Sequence, residues 1–304
     1  VETGSEMGVY PEGSEKAFSA EDRVKTLPTF SKFNKKKYYL EVYNKKADPF
    51  EYEITNNYSW IELSEFSGVV RKQERIWVSI NWEQAPIGED IKAGIKISGT
   101  GEHYKLEINV FNPANPEIKE LEPYTFVESN GYISIEAEHY VSKEGVNGVG
   151  WEKIDDYGRT LSSMFIVPST ADSFEKPEEA PYLEYRFYAF TTGDLEAVIY
   201  TAPGLNVDRR RGLKYAISID RKELQMVDTF PPEYDGTHSC PYWAESVMNN
   251  AHITSSTQHI EEPGYHTLRI MMVDPGVVIQ KIVLDMGGVK PSYLGPPESF
   301  YKKS

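Results

Sequence analysis

Apolar and polar residues alternate with a period of two along most of this chain. In "RIWVSINW", residues 75–82, Ile76, Val78, Ile80 and Trp82 share one face, and Arg75, Trp77, Ser79 and Asn81 the other. The same pattern runs through "KYYLEVY", "FEYEIT", "GIKISG" and "YKLEINVF". This is the mark of antiparallel strands with one face on a core and one in water. Turn signals separate the runs: "KKADP", "FSG", "APIGED" and "GTGEH". Short strands at this spacing predict a small sandwich of immunoglobulin-like type over residues 31–112.

"NPANPEIKELEP" breaks the pattern with prolines and charges, so residues 113–123 read as a linker. A second series of strands follows: "YISIEAEHY", "PYLEYRFYAF", "LEAVIYT", "LKYAISID", "AHITSSTQHI", "YHTLRIMMV" and "VIQKIVLDM". They define a second sandwich over 124–290, flanked by a tail at 291–304; residues 1–30 read as an irregular N-terminal segment. Only "AESVMNNA" has the look of a helical turn or two, and strands do not alternate with long helices. That argues against a (β/α)8 barrel. The expected fold class is all-β, two antiparallel β-sandwiches in tandem.

Composition narrows the partners. The 304 residues carry a net charge of −15, which repels phosphate backbones and anionic membrane surfaces. Nucleic acid and membrane are therefore not expected partners, whereas a neutral polysaccharide is unaffected. No apolar run approaches the roughly 20 residues of a membrane span. No signal peptide is visible and the first residue is Val1, so the chain is expected to be a fragment or a processed product. The single cysteine, Cys240, rules out an intramolecular disulfide and reads as a small buried filler.

Candidate chemistry is concentrated in the second sandwich. In "YISIEAEHY", Ile133, Ile135 and Ala137 fall on one face, with Glu136 and Glu138 on the other. Residues i and i+2 of a strand lie about 6.6 Å apart. Two such neighbours form a single wall and do not flank a glycosidic bond, which argues against a catalytic pair. Two readings stand: a hard-cation site such as Ca²⁺, with Asp285 of "IVLDMGG" offering a third acid, or solvated surface at a sheet edge. Trp151, Tyr157 and Trp243, with Tyr242, fall in loops or strand ends, where aromatic rings cover the C–H faces of sugars or else plug the sandwich. Arg210, between Arg209 and Arg211, suits a uronic-acid carboxylate or a solvated turn. His252, His259 and His266, seven residues apart, alternate faces and do not make a zinc site.

The segments "IEAEHY", "GYHTLRI" and "QKIVLD" resemble the carbohydrate-binding sandwiches of families 6 and 35. That resemblance implies a galactose-binding-like jelly roll with a structural Ca²⁺ on Glu136, Glu138 and Asp285. A longer set, "MGVYPEGS", "LPTF", "WIELSEFSG", "VSINW", "WEKIDDYGRTLSSM" and "VDPGVVIQKIVLDMGGVKPSYLGPPES", resembles the C-terminal part of glycoside hydrolase family 115. These bacterial enzymes are xylan α-1,2-glucuronidases whose catalytic acids lie in a barrel that this chain lacks. The resemblance implies a non-catalytic accessory region, extracellular or periplasmic. Its implied partners are the parent's catalytic barrel domain, a second copy in a homodimer, and glucuronoxylan. A free-standing xylan-binding protein, and a hydrolase active only with the missing barrel, are the alternatives.

Overall fold

A computed structural model describes residues 3–19, 21–205, 211–230, 234 and 240–303. The chain divides into two units, Val1–Glu120 and Leu121–Ser304, each with its own core. Among the described residues the fold is all-β apart from one α-helix and one 3-10 turn.

Unit 1 carries β1 (Met7–Pro11), β2 (Val24–Thr26), β3 (Phe30–Ser31), β4 (Tyr38–Asn44), β5 (Phe50–Asn56), β6 (Ile61–Leu63), β7 (Ser67–Val70), β8 (Gln73–Ile80), β9 (Gly88–Gly99) and β10 (Glu102–Asn112). One sheet runs in the order β1-β4-β8-β6, the other β2-β10-β9-β5-β7, with β3 also on β10. Pairing is antiparallel except for β2 and β3, which run parallel to β10. Leu40, Val42, Ile76 and Val78 of the first sheet meet Ile95, Ile97, Leu106 and Ile108 of the second in one core. Alternation here does what it should: Ile76 and Val78 are fully buried, while Trp77 between them is 41% exposed.

The expectation of an irregular segment over 1–30 is corrected. β1 pairs with β4 over five positions, and its Met7 and Val9 enter the core. The strand is short and carries Gly8 and Pro11, so its two inward residues give little period to read.

Unit 2 carries β11 (Thr125–Val127), β12 (Tyr132–Glu136), β13 (Ser142–Glu144), β14 (Gly150–Ile154), β15 (Ser163–Val167), β16 (Tyr182–Ala189), β17 (Gly193–Thr201), β18 (Lys214–Ile219) and β19 (Gln225–Asp228). Then come α1 (Pro241–Asn249), β20 (His252–Ile260), β21 (Gly264–Met272) and β22 (Ile279–Asp285). One sheet runs β11-β16-β21-β18-β19 with β13 on β16; the other runs β14-β15-β22-β17-β20 with β12 on β22. Between them lies one apolar core that includes Ile133, Ile135, Trp151, Tyr185, Phe187, Ile270 and Ile282. Helix α1 begins with Pro241 in its first turn and ends where Asn250 adopts a left-handed conformation.

Residues 291–304, expected to be a tail, are instead part of unit 2. The Ser299 N–H donates to the Ser134 carbonyl (2.9 Å), and the Ser134 N–H to Ser299 Oγ (2.9 Å). The Val127 N–H donates to the Phe300 carbonyl, the Tyr124 N–H to that of Lys302, and Tyr301 packs on Phe126 with ring centroids 4.8 Å apart. The segment thereby lies along the side of β12 that β22 leaves open. Its prolines and short polar residues hide this docking from any periodicity reading.

Candidate functional site

The acids at the start of unit 2 were expected to share a strand face. Ile133, Ile135 and Ala137 are indeed buried, but β12 ends at Glu136, and Glu138 falls in the turn that follows. Glu136 is not solvated. Its side chain and that of Lys281, its cross-strand neighbour on β22, are each 4% exposed, with Lys281 Nζ 2.9 Å from Glu136 Oε1. The Thr160 hydroxyl lies 2.7 Å from both oxygens of the same carboxylate. The Lys281 ammonium also donates to the carbonyls of Leu294 (3.3 Å) and Pro296 (3.2 Å). One buried ion pair thus joins β12, β22, the loop before β15 and the C-terminal segment. Burial of two charges is tolerated because each is paired and hydrogen-bonded.

Glu138 accepts from the Ser162 N–H (3.2 Å) and pairs with Lys153 (3.3 Å). Burial pushes its carboxyl up, but the Ser162 N–H, Lys153 and the Ser162 hydroxyl together hold it below the usual carboxylate range. Next to it, His139 Nδ1 lies 2.7 Å from Glu298 Oε1, and that hydrogen bond raises the imidazole above its ordinary value despite partial burial. The same Glu298 oxygen accepts the Glu136 N–H (3.1 Å).

Asp285 is elsewhere. It pairs in register with Tyr132 whereas Glu136 pairs with Lys281, a separation of four residues or about 13 Å along the ladder. Its Oδ1 accepts the N–H groups of Gly287, Gly288 and Val289, closing the turn after β22. Gly288 is obligatory there, since a Cβ would lie 1.8 Å from the Asn130 carbonyl oxygen. The expected calcium ligands Glu136, Glu138 and Asp285 are thus separated in the fold. Asp285 lies apart from the two glutamates, and the ammonium of Lys281 is the counter-charge of Glu136. Among the described residues no group of three or more acid, His or Cys side chains is arranged to hold a metal.

The expected sugar platforms scatter too. Trp151 is 1% exposed, deep in the core, and its indole N–H donates to the Pro181 carbonyl (3.2 Å); it is corrected from platform to core residue. Tyr157 is half exposed in the loop before β15. Trp243 is half-buried on α1, and Tyr242 beside it is exposed. Arg210 and Arg209 lie outside the described residues. Arg211 is spent internally on Asp274 (2.5 Å) and Glu175 (2.6 Å). The three histidines have separate partners: Ser246 for His252, Asp194 for His259 and Asp220 for His266.

Among the described residues of unit 2, the buried acids are each held by several hydrogen bonds or an ion pair. Besides Glu136, Glu128 accepts from Phe190 N, Thr191 N and the Thr191 hydroxyl, and Asp274 accepts from Ser173, Arg211 and Lys214 N. What the loop before β15 does present is Arg159, next to Thr160. Its guanidinium sits over the ring of Tyr293 (4.3 Å to the centroid) and near that of Tyr200 (5.5 Å). Sequence reasoning passed over Arg159, Tyr293, Lys281, Glu298 and Thr160. The one signal available was Lys281 itself, a charge inside the apolar run "VIQKIVLD".

Residues 125–298, nearly the whole of unit 2, match the family model of the glycosyl hydrolase family 115 C-terminal domain. The chain belongs to that family. Among solved structures, this family 115 chain is similar to a family GH115 4-O-methyl-α-glucuronidase with specificity for decorated arabinogalactans, at 19% identity and a TM-score of 0.34 over 48% of this chain. The match spans 17% of that enzyme's length. It is also similar to the C-terminal family 6 carbohydrate-binding module of a marine laminarinase from Zobellia galactanivorans, at 13% identity, covering 51% of this chain and 98% of that one, TM-score 0.34. A family 35 carbohydrate-binding module from Clostridium thermocellum matches at 11% identity, over 50% and 96% of the two chains, TM-score 0.33. No curated protein matches the family 115 chain.

Proposed function

We propose that this chain is a non-catalytic accessory region of a family 115 α-glucuronidase, and that unit 2 contacts the glycan while a barrel elsewhere in the enzyme cleaves it. The observation that carries this reading is a coincidence. The stretch matching the family's C-terminal domain is the sandwich of unit 2, and each buried acid among its described residues is engaged in holding it together. Acids committed to ion pairs and backbone N–H groups are not available as proton donor and nucleophile. The substrate in this reading is glucuronoxylan, a polymer met outside the cytoplasm, so the place of action is extracellular or periplasmic. Packing on the barrel and homodimer assembly are the scaffold part of the role.

The test uses the whole chain. Incubation with glucuronoxylan should release no (4-O-methyl)glucuronic acid, and the chain should be retarded by glucuronoxylan in an affinity gel. Release of the acid would overturn the non-catalytic reading. Unretarded migration would reduce the role to scaffold, which sedimentation with the separately produced barrel would then test.

A further inference from the structure

Among the described residues, the lysines that meet Glu136 and Glu138 are neutralised, and Arg159 stands apart from them. Lys281 is paired with Glu136, and Lys153 with Glu138 and Asp155. Arg159 has no ion pair with a described residue, and its Nε is buried without a hydrogen-bond partner. In a chain of net charge −15, a guanidinium with no carboxylate partner among the described residues is a placed charge.

Its loop and its ring partner are both held in place. Thr160 is tied to both oxygens of Glu136, and Ser162 N–H to Glu138, so the acids anchor the loop just after the cation. Tyr293 holds the guanidinium from the C-terminal segment, and its hydroxyl donates to the Met248 carbonyl of α1 (3.3 Å). Tyr293 is nonetheless 59% exposed. A cation braced by an aromatic ring, with that ring still open to solvent, is a preorganised place for an anion that also has an apolar face.

We propose that Arg159 and Tyr293 form a subsite for an acidic sugar residue, a hexuronate. The proposal rests on the reading above that unit 2 contacts glycan. The guanidinium would take the carboxylate through charge-assisted hydrogen bonds. The exposed part of the Tyr293 ring would meet the sugar's C–H face. A local cation is also what an acidic sugar needs in order to approach a polyanionic protein at all.

Calorimetric titration of the full chain with methyl glucuronoside, methyl glucoside and acetate tests it. Saturable glucuronoside binding that weakens as NaCl is raised is expected, with methyl glucoside and acetate each at least about tenfold weaker. Arg159→Gln should weaken the glucuronoside about tenfold or more. Arg159→Lys, which keeps the charge but loses the planar fork, should fall between. Tyr293→Ala should weaken the glucuronoside and leave acetate unchanged. Unaltered binding in Arg159→Gln, or equal affinity for glucoside or acetate, would overturn the subsite. If Arg159→Gln does not fold, full wild-type affinity in Arg159→Lys and Tyr293→Ala together overturns it. Affinity-gel retardation by glucuronoxylan separates this from the accessory reading. Retardation that survives Arg159→Gln unchanged sinks the subsite and leaves that reading standing. Glucuronoside binding lost in Arg159→Gln, without retardation of the wild type, does the reverse.

Discussion

Strands β5 and β22 are both seven residues long and both lie inside six-stranded sheets, yet they are built differently. In β5, Phe50, Tyr52 and Ile54 are buried while Glu51, Glu53 and Thr55 are exposed. In β22, six consecutive residues from Ile279 to Leu284 are buried, Gln280 and Lys281 among them. The outer face of β5 meets water. That of β22 is roofed: Val283 packs with Tyr200, Ala251 and Val289, and the segment around Leu294 and Pro296 closes over Lys281. A roof changes the rules for polar residues. Under water a carboxylate is nearly neutral to stability; under a roof it must find its counter-charge inside the protein.

The comparison is broken most severely by removing one member of the buried pair. Lys281→Met should cost about 3–5 kcal/mol in urea unfolding of unit 2, because Glu136 is left buried without its counter-charge. The double variant Glu136→Gln/Lys281→Met should recover most of that loss. The exposed counterpart in unit 1, Lys105→Met beside Glu107 on the same strand, should cost about 1 kcal/mol or less. Equal losses at the two sites would mean that the roof carries no weight.

Trp151→Ala should cost about 3–5 kcal/mol by leaving a cavity, with glycan affinity per folded molecule unchanged. Trp77→Ala, on the wet face of unit 1, should cost about 1 kcal/mol or less by the same urea measurement. Gly288→Ala should destabilise unit 2 by about 1–3 kcal/mol, since the new Cβ meets the Asn130 carbonyl.

Smaller effects sharpen the picture. His139 has a raised folded-state pKa, so its bond to Glu298 contributes in full below the ordinary value of about 6.5 and fades as pH rises through the raised one. The melting-temperature gap between wild type and His139→Gln should be widest near pH 5.5, about 1–3 °C, and narrow by pH 9. A gap that widens with pH would reject that coupling. Chelation comes last. EDTA should move the melting temperature by less than about 1 °C, because Lys281 already balances Glu136. A larger drop, restored by Ca²⁺, would return those acids to the role of ligands.

The contrast between β5 and β22 also explains what could be read in advance. Unit 1 was legible because its strands keep a wet face: the buried set of β8, Ile76, Val78 and Ile80, is the one its alternation dictates. In unit 2 the strands themselves were legible, and so was the inward row Ile133, Ile135 and Ala137. The outer row was not. Nothing in "YISIEAEHY" says that Ser134 and Glu136 are covered, because the C-terminal segment that lies on them is 162 and more positions away. For the same reason Trp151, flanked by glycine and charge, looked like a surface ring and proved to be core. Arg159 escaped notice because its meaning depends on Tyr200 and Tyr293, neither of them near it in sequence.

The strip from Ser299 to Lys302 has a practical bearing. A fragment trimmed to the limits of the family match would stop at 298 and lose the bonds from Ser299 to β12 and from Phe300 and Lys302 to residues 124–127. An uncapped row of peptide groups invites another chain to add itself there. Such a trimmed product would be prone to self-association, and a soluble excised module needs the four residues beyond that limit.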